Sequence, residues 1–406
     1  NVPRDYWTQV IDIELPPIVR FERQGGGKEA IEKAAKIISD AKFPVILSGA
    51  GVVIGNAIEE CKKLAEKLDA PVCNGYQHND SFPGSHPLAV GPLGYNGSKA
   101  GMELISKADV VLALGTRLNP FSTLPGYGID YWPKDATIIQ VDMNPDRIGL
   151  TKKVTVGICG DAKMVSQQIL EKLSSTAGDN GRDDRKNLIH QTKSAWLQTL
   201  TSLDHEDDDP GTVWNKEARE RDSDRMSPRQ AWRAIQAGMP NDVIISSDIG
   251  NNCAIGNAYP TFEKPRKYLA PGLFGPCGYG FPSILGAKIG CPDTPVIGFA
   301  GDGAFGISMN EMSSCAREEW PAITMVIFRN YQWGAEKRNS ILWFDDNFIG
   351  TELDPELSYA KVANACGLKG VAVKTMEETT AAIKQSCEDQ KKGITTFIEV
   401  ILNQEL

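Results

Sequence analysis

The sequence has few of the residues that build zinc sites or disulfide frameworks. Its 406 residues include only four histidines, and none of its nine cysteines form a C-x-x-C pair. Ligand spacings typical of zinc are therefore missing. The pattern instead predicts reduced, mostly buried thiols, which are typical of a cytoplasmic protein.

The sequence also lacks long apolar runs and an excess of positive charge. No uninterrupted apolar stretch approaches the roughly 20 residues that a membrane helix needs. The net charge of −9 argues against a nucleic-acid partner, because phosphate backbones bind basic surfaces. We therefore expect no membrane span and no nucleic-acid binding, and any anionic ligand must meet a local cluster of cations.

Two long regions alternate between helical and strand-like segments. In residues 28–175, FPVILSGAG, ADVVLALGT and ATIIQVDMN are typical of buried strands, and in residues 226–406 so are DVIISSDIG, TPVIGFAGDG, ITMVIFRN and TTFIEVIL. Short apolar strands separated by helices indicate parallel sheets that are covered on both faces. The sequence therefore predicts an α/β protein with two doubly wound parallel-sheet domains.

The remaining segments are more polar or rich in proline. Residues 1–27 are predicted to form an extended interdomain linker. Residues 176–225 carry dense charge and few apolar positions, so we expect a solvated connector with one helix around LIHQTKSAWLQTL.

The glycine-rich stretch LSGAGVVIG at residues 47–55 resembles a dinucleotide-binding turn. Its spacing is G-x-G-x-x-x-G, however, and the next strand, APVCNG, ends without the acid expected to hold a ribose. A tight strand-to-helix turn is the simplest interpretation. A nicotinamide site and an adenine-nucleotide site are the alternatives.

The stretch FAGDGAFGISMN places Asp302 between Gly301 and Gly303, and the small Ala304 follows. Asn330 ends the strand-like segment ITMVIFRN. In parallel sheets the ligand crevice lies outside the carboxyl ends of the strands, so Asp302 and Asn330 are expected to face one crevice. One carboxylate and one amide oxygen suit Mg²⁺, which completes its octahedron with phosphate oxygens and water.

Together these two stretches resemble the signature of thiamine-diphosphate-dependent enzymes, in which G-D-G is followed by a spacer and N-N. Arg329 replaces the first Asn of that signature. The segments SSDIGNNCAIGNAY and APGLFGPCGYGFPS are similar to segments of the acetohydroxyacid-synthase group within this family. The resemblance covers nearly the whole chain and implies a family central domain followed by a diphosphate-binding domain.

The resemblance implies that thiamine diphosphate and Mg²⁺ are the cofactors. It implies that the metal is bound by Asp302, Asn330 and the backbone carbonyl of Gln332. It further implies contacts to the cofactor from Asn251, Asn252, Gly275, Cys277, Gly301, Asp302, Gly303, Ala304, Asn330, Gln332 and Gly334. Cys277 is expected to support the bent thiamine by packing, not as a nucleophile, since thiamine supplies its own.

The reaction implied by the resemblance converts sulfoacetaldehyde and phosphate to acetyl phosphate and sulfite. Both substrates are anions, so we predict that Arg329, Lys337 or Arg338 binds sulfonate or phosphate, because a guanidinium fork matches paired oxygen atoms. Solvated surface charge, or an ion pair with Glu336, is the alternative for Lys337 and Arg338.

In the family, the glutamate that activates the cofactor belongs to a preceding pyrimidine-binding domain. Because the chain opens at Asn1 and not at Met, we expect that part of the protein precedes it. The resemblance implies that this domain is a partner and that the full protein is a homodimer or homotetramer.

Two other functions remain open from the sequence. One is acetolactate synthesis or 2-keto acid decarboxylation within the same family, and the other is a non-catalytic nucleotide-binding protein that uses LSGAGVVIG. The central domain of some relatives holds FAD or an adenine nucleotide, which this sequence neither requires nor excludes. His78 and His86 lie on a loop that could reach a neighbouring site, although a structural turn is the simpler interpretation.

Overall fold

The computed structural model describes residues 2–19, 22–204, 220–272, 274–345 and 347–404. Within these residues the chain forms two six-stranded sheets, and every strand pair in them is parallel. The predicted α/β fold with two parallel-sheet domains is therefore confirmed. The charged residues 205–219 of the predicted connector lie outside the described residues.

The first sheet has the strand order β3-β2-β1-β4-β5-β6. Its strands are β1 (Pro44–Ser48), β2 (Val72–Asn74), β3 (Ala89–Pro92), β4 (Val110–Leu114), β5 (Thr137–Asp142) and β6 (Val156–Cys159). Its helices are α1 (Lys28–Asp40), α2 (Ala50–Ile54), α3 (Ile58–Leu68), α4 (Lys99–Ile105) and α5 (Ala162–Lys172). Every residue of β1 and β4 is buried, because helices cover both faces of the sheet.

The second sheet has the strand order β11-β12-β10-β9-β7-β8. Its strands are β7 (Ile244–Ser247), β8 (Tyr268–Leu269), β9 (Val296–Gly301), β10 (Thr324–Arg329), β11 (Lys369–Val373) and β12 (Thr396–Ile401). The helices that follow α5 are α6 (Arg182–Ser202), α7 (Pro228–Gly238), α8 (Asn251–Ile255), α9 (Gly280–Gly290), α10 (Asp302–Ser308), α11 (Met312–Cys315), α12 (Gly334–Trp343), α13 (Tyr359–Ala365) and α14 (Met376–Gln390).

Local sequence explains where several helices begin and which face they bury. The buried residues of α1 are Ile31, Ala34, Ala35 and Ile38, which share one face of a helix. At α7, Ser227 and Gln230 form a reciprocal capping box, and Pro228 occupies the first turn. These signals fix the helices that cover the two sheets.

The connector helix α6 contains the predicted segment LIHQTKSAWLQTL. It is anchored to the first domain by Arg185, whose buried guanidinium donates to carbonyl oxygens that include those of Lys42, Leu68 and Gly178. Before the first domain, Arg4–Thr8 form a short 3₁₀ helix in an otherwise irregular and exposed segment.

Two further expectations concern the state of the cysteines and the presence of a membrane-spanning helix. All nine cysteines are free, and Cys61, Cys73, Cys253, Cys315 and Cys387 are buried. None of the helices among the described residues combines the length and apolar character needed to cross a membrane.

The direction of strand order in the second sheet reverses between β7 and β9. After β7 the chain runs to β8 at one edge of the sheet. After β9 it runs in the opposite direction, to β10. Loops that diverge in this way leave a crevice at the carboxyl ends of the two strands, which is where open α/β sheets bind ligands. The corresponding point of the first sheet lies between β1 and β4.

Candidate active site

A cleft lies at the carboxyl ends of β7, β9 and β10. It is lined by Ile249, Gly250, Asn251, Asn252, Cys253, Cys277, Gly301, Asp302, Gly303, Ala304, Asn330, Gln332, Trp333, Gly334, Ala335 and Glu336. The structure therefore brings together every predicted cofactor contact except Gly275. The cleft coincides with the strand-order reversal, so topology and side-chain chemistry select the same place.

Asp302 is the first residue of α10 and is only 1% exposed. Its Oδ2 accepts hydrogen bonds from the Arg329 guanidinium at 2.9 Å and from the Tyr331 backbone N–H at 2.7 Å. Its Oδ1 accepts from the Gly303 N–H at 2.9 Å. Burial raises the pKa of Asp302 to about 6, although the charge of Arg329 opposes this shift.

The side-chain amide of Asn330 lies next to Oδ1 of Asp302. The terminal amide atom of Asn330 that faces this point lies 3.3 Å from Asp302 Oδ1 and 3.3 Å from the Gln332 carbonyl oxygen. A nitrogen there would donate to both oxygens, whereas an oxygen there leaves three oxygens facing one another. Three such oxygens need a cation between them.

Separations of 3.3 Å fit hydrogen bonds from an amide nitrogen, and they also fit neighbouring oxygen ligands of one cation. Adjacent ligands of an octahedral Mg²⁺ are about 3.0 Å apart when its bonds are 2.1 Å long. The part of the chain that the structure describes holds no group of three His, Cys, Asp or Glu side chains suited to a metal ion. A site with one carboxylate, one amide and one carbonyl instead suits Mg²⁺, so the residues fit the implied metal.

The walls of the cleft also fit a ligand with several acceptor and donor atoms. Asn251 Nδ2, Asn252 Oδ1 and Gln332 Oε1 are buried and have no hydrogen-bond partner in the described structure. A Cβ added at Gly301 or Gly250 would meet nothing within 4 Å, and Gly250 has a φ of +125°. Backbone and polar groups therefore face open space, as a diphosphate group requires.

Gly275 lies just outside the cleft wall. It has a φ of +65°, and its nearest neighbour is the side chain of Ile249, which lines the cleft. Cys277 does line the cleft. Partial burial and the carboxylate of Asp248 raise the pKa of the Cys277 thiol, so the thiol is protonated at neutral pH and suits a packing role.

Asp248 is a buried acid whose position the sequence left unexplained. It follows β7, and its carboxylate accepts from the backbone N–H groups of Ile249, Gly278 and Gly280 at 2.7–3.1 Å. Desolvation raises the pKa of Asp248, while these hydrogen bonds oppose the shift. Asp248 therefore fixes the loop that carries Cys277.

Arg329 is completely buried at the end of β10. Besides Asp302, its guanidinium donates to the carbonyl oxygens of Asp354 and Leu357, and Nε lies 3.7 Å from Glu399. The structure thus makes Arg329 the partner of two buried carboxylates. Its predicted role in binding a substrate anion stays a prediction.

The other two predicted cations lie on α12. Lys337 is buried and forms an ion pair with Glu352. Arg338 is half-buried, and its guanidinium donates to the hydroxyl of Tyr95, which belongs to the first domain. Glu336, the ion-pair partner considered from the sequence, lines the cleft.

Several residues that line the cleft were not predicted from the sequence. Ile249, Gly250, Cys253, Trp333, Ala335 and Glu336 line the cleft but were not predicted. All of them lie within three positions of a predicted residue, so extending each strand-end motif would have found them. Tyr95 carries no such signal, because only the packing of the two domains brings it near Arg338.

The glycine-rich turn of the first domain has a different environment. A Cβ added at Gly51 would lie 2.7 Å from Gly115 Cα, and the Gly51 N–H donates to the Gly115 carbonyl oxygen at 2.8 Å. The glycines therefore allow two backbones to approach closely, as expected of a tight strand-to-helix turn.

The two histidines of the first domain have different environments. His78 is half-buried, and burial lowers its pKa to about 4. His86 Nε2 lies 3.3 Å from the Glu66 carboxylate.

Comparisons with known proteins identify the family of the chain. The family described as "Thiamine pyrophosphate enzyme, central domain" matches residues 31–173, and "Thiamine pyrophosphate enzyme, C-terminal TPP binding domain" matches residues 248–400. A probable sulfoacetaldehyde acetyltransferase of Rhizobium meliloti is 77% identical over 100% of this chain and 69% of its own length. The sulfoacetaldehyde acetyltransferase of Roseovarius nubinhibens is 72% identical over 100% of this chain and 67% of its own length.

A more distant relative is a probable acetolactate synthase large subunit of Methanococcus aeolicus. It is 28% identical over 98% of this chain and 66% of its own length. The resemblance inferred from the Gly-Asp-Gly and Arg-Asn stretches is therefore confirmed at the level of the family. The chain belongs to the thiamine pyrophosphate enzymes and contains the central and C-terminal TPP-binding domains of that family.

Proposed function

We propose that the protein containing this chain converts sulfoacetaldehyde and phosphate to acetyl phosphate and sulfite. The observation that carries this proposal is the difference among relatives. Those named sulfoacetaldehyde acetyltransferase are 45–77% identical to the chain, whereas those named acetolactate synthase are 28–30% identical. The free thiols support a cytoplasmic location for this activity.

The reaction balances without an external oxidant. The C–S bond of sulfoacetaldehyde breaks, and sulfite leaves with the electron pair of that bond. The neighbouring aldehyde carbon loses its hydrogen as a proton and becomes an acyl carbon, while the other carbon gains a proton and becomes a methyl group. A phosphate oxygen loses its proton and forms the new bond to the acyl carbon, so one proton is released overall. When bound, thiamine diphosphate supplies the carbon nucleophile and the electron sink for this redistribution.

The residues of this chain would hold and orient the cofactor. Asp302, Asn330 and the Gln332 carbonyl would bind Mg²⁺, because the terminal amide of Asn330 lies 3.3 Å from both Asp302 Oδ1 and the Gln332 carbonyl oxygen, and these groups supply the oxygen ligands that Mg²⁺ prefers. The buried amides of Asn251 and Asn252 would bind the diphosphate group, and the bare backbone at Gly301 would leave room for it. The start of α12 at Gly334 adds backbone N–H groups, which favour an anion.

A further domain would complete the site. Large apolar side chains are exposed in the loop before Cys277, on α10, and at or beyond the end of α12: Phe274, Ile307, Trp343, Phe344 and Ile349. An exposed apolar surface of this kind supports a protein partner. We propose that the pyrimidine-binding domain supplies the activating glutamate and covers this surface, in a homodimer or homotetramer.

Product analysis tests the proposal. Full-length protein would receive sulfoacetaldehyde, Mg²⁺ and thiamine diphosphate, with and without phosphate. Equal amounts of acetyl phosphate and sulfite, formed only with phosphate, are expected. A parallel reaction would receive pyruvate in place of sulfoacetaldehyde. Acetolactate or acetaldehyde from pyruvate, with no acetyl phosphate from sulfoacetaldehyde, would overturn the proposal in favour of the other thiamine chemistries.

A further inference from the structure

We propose that Tyr95 of the first domain is a positioning residue that holds Arg338 at the rim of the cleft, where Arg338 binds the tetrahedral anionic group of a substrate. The inference rests on the proposed function, because it assigns a role to sulfonate or phosphate at the same cleft. It gives the first domain a part in substrate binding, in addition to its own fold.

A chain of hydrogen bonds links Arg338 to the wall of the cleft. The Arg338 guanidinium donates to the Tyr95 hydroxyl, and that hydroxyl donates to Asn251 Oδ1 at 3.3 Å. Asn251 lines the cleft. The guanidinium carbon also lies 5.7 Å from the centre of the Tyr95 ring, within the range of a cation–π contact. Arg338 is therefore one residue removed from the cleft wall.

The partners of the three candidate cations differ in charge. Arg329 faces the carboxylates of Asp302 and Glu399, and Lys337 faces the carboxylate of Glu352. The hydrogen bond of Arg338 goes to a neutral phenol instead. A neutral partner does not offset the positive charge of the guanidinium, whose fork can bind two oxygens of a sulfonate or phosphate.

The loop that carries Tyr95 is fixed from both domains. A Cβ added at Gly94 would lie 1.8 Å from the Phe121 carbonyl oxygen, to which the Tyr95 N–H donates at 3.1 Å. From the second domain, the buried Asn257 amide donates to the carbonyl oxygens of Leu93 and Tyr95 at 3.4 Å and 3.3 Å. Because this backbone is already ordered, Tyr95 can orient Arg338 without a further entropic cost on binding.

A double-mutant cycle in the full-length enzyme tests the inference. Tyr95→Phe keeps the ring and removes the hydroxyl, and Arg338→Gln removes the charge. We expect each single variant to raise the KM of one anionic substrate about tenfold, with kcat changed less than about twofold, as loss of a charged hydrogen bond predicts. The double variant should match Arg338→Gln, because Tyr95 acts through Arg338.

The KM values of the two substrates show which anionic group Arg338 binds. A raised KM for sulfoacetaldehyde assigns Arg338 to the sulfonate, and a raised KM for phosphate assigns it to the phosphate. Unchanged KM values for both substrates in Tyr95→Phe would overturn the inference. Additive effects in the double variant would also overturn it, since Tyr95 would then act independently of Arg338.

Tyr127→Phe is the matched control. The Tyr127 hydroxyl donates to the Gly97 carbonyl oxygen at 3.0 Å, so this variant removes a hydrogen bond to the same loop but no link to Arg338. We expect both KM values to stay within about twofold of the wild type. An increase equal to that of Tyr95→Phe would show that loop structure alone explains the effect, and the inference would fail.

A binding experiment separates this inference from the proposed function. Inorganic phosphate and ethanesulfonate would be titrated calorimetrically into the wild-type holoenzyme and into Arg338→Gln. We expect one of these anions to bind about tenfold more weakly to the variant, even if the enzyme forms no acetyl phosphate. Equal affinities in both proteins would refute the inference, whatever the reaction proves to be.

Discussion

The two sheets of this protein each reverse strand order once, and in the part of the chain that the structure describes the two reversals differ in how their glycines pack. Between β1 and β4, Gly51 lies against Gly115, and their backbone groups hydrogen-bond to each other. Between β7 and β9, Gly301 faces open space and Asp302 follows it. We call the reversal between β1 and β4 the closed crevice, because its glycines pack on each other. We call the reversal between β7 and β9 the open crevice, because Gly301 leaves space there.

The two crevices also differ in how their polar groups are satisfied. In the first, the N–H groups of Gly49 and Gly51 donate to the carbonyl oxygens of Leu114 and Gly115. In the second, the side chains of Asn251 and Asn252 carry buried polar atoms without partners in the described structure. The same topology thus provides a place for a ligand, and the loop residues decide whether a ligand is needed.

Removing the buried guanidinium of Arg329 from the open crevice should have the largest effect on stability. Arg329→Met leaves Asp302 and Glu399 buried without their positive partner, so the free energy of unfolding should fall by about 3–5 kcal/mol. Urea denaturation measures this change. The matched variant in the closed crevice is Arg117→Met, three residues after β4, which should cost less than about 0.5 kcal/mol. Equal losses would remove the distinction between the crevices.

Removing the acid of the open crevice should abolish cofactor retention. Asp302→Asn takes away the single carboxylate at the metal, so the affinity for thiamine diphosphate in Mg²⁺ should fall at least about 100-fold. Asn330→Ala should weaken binding less, because it removes a neutral ligand. Calorimetry provides the measurement, and Asp142→Asn, at the end of β5 in the other sheet, is the control. An unchanged affinity in Asp302→Asn is incompatible with the assigned metal site.

Adding one methyl group to each crevice should have opposite consequences. Gly51→Ala places a Cβ 2.7 Å from Gly115 Cα, so it should lower the free energy of unfolding by about 1–3 kcal/mol without changing cofactor affinity. Gly301→Ala meets no atom within 4 Å and has a φ of −69°, so stability should stay within about 0.5 kcal/mol. Its methyl group should enter the cleft and lower cofactor affinity about tenfold. The same change in stability and in cofactor affinity in both variants would contradict this difference between the crevices.

A smaller effect on stability is expected when the pH is lowered, because His78 lies near the closed crevice. His78 packs near Gly75 and has its pKa lowered from 6.5 to about 4 by burial, so the unfolded chain binds a proton before the folded chain does. Stability is therefore lost as the pH falls below 6.5, by about 1 kcal/mol between pH 6.5 and 5.5. Urea denaturation across this range measures the loss. In His78→Gln this contribution to the pH dependence should disappear; its persistence would assign the effect to another group.

Several strands could be predicted from sequence because their residues are apolar on both faces, as in β1, β4 and β10. The edge strands β3 and β8 were missed. β8 has only two residues, and both strands pair with a neighbour on one side alone. So short a pattern carries no periodic signal.

The candidate site was predictable where chemistry lies at strand ends and not where it depends on packing. Asp302 and Asn330 follow neighbouring strands, so parallel topology alone brings them together. The burial of Arg329 beside Glu399, and the contact of Tyr95 with Arg338, join segments that are far apart in the chain. No local pattern encodes those contacts.

The most direct test of the metal site is a crystal structure of the chain with thiamine diphosphate and Mn²⁺ in place of Mg²⁺. We expect an anomalous peak bonded to the carboxylate of Asp302, the side-chain oxygen of Asn330 and the carbonyl oxygen of Gln332, with the diphosphate completing the coordination. A peak elsewhere, or cofactor bound while the Asn330 amide nitrogen donates to Asp302, would contradict it.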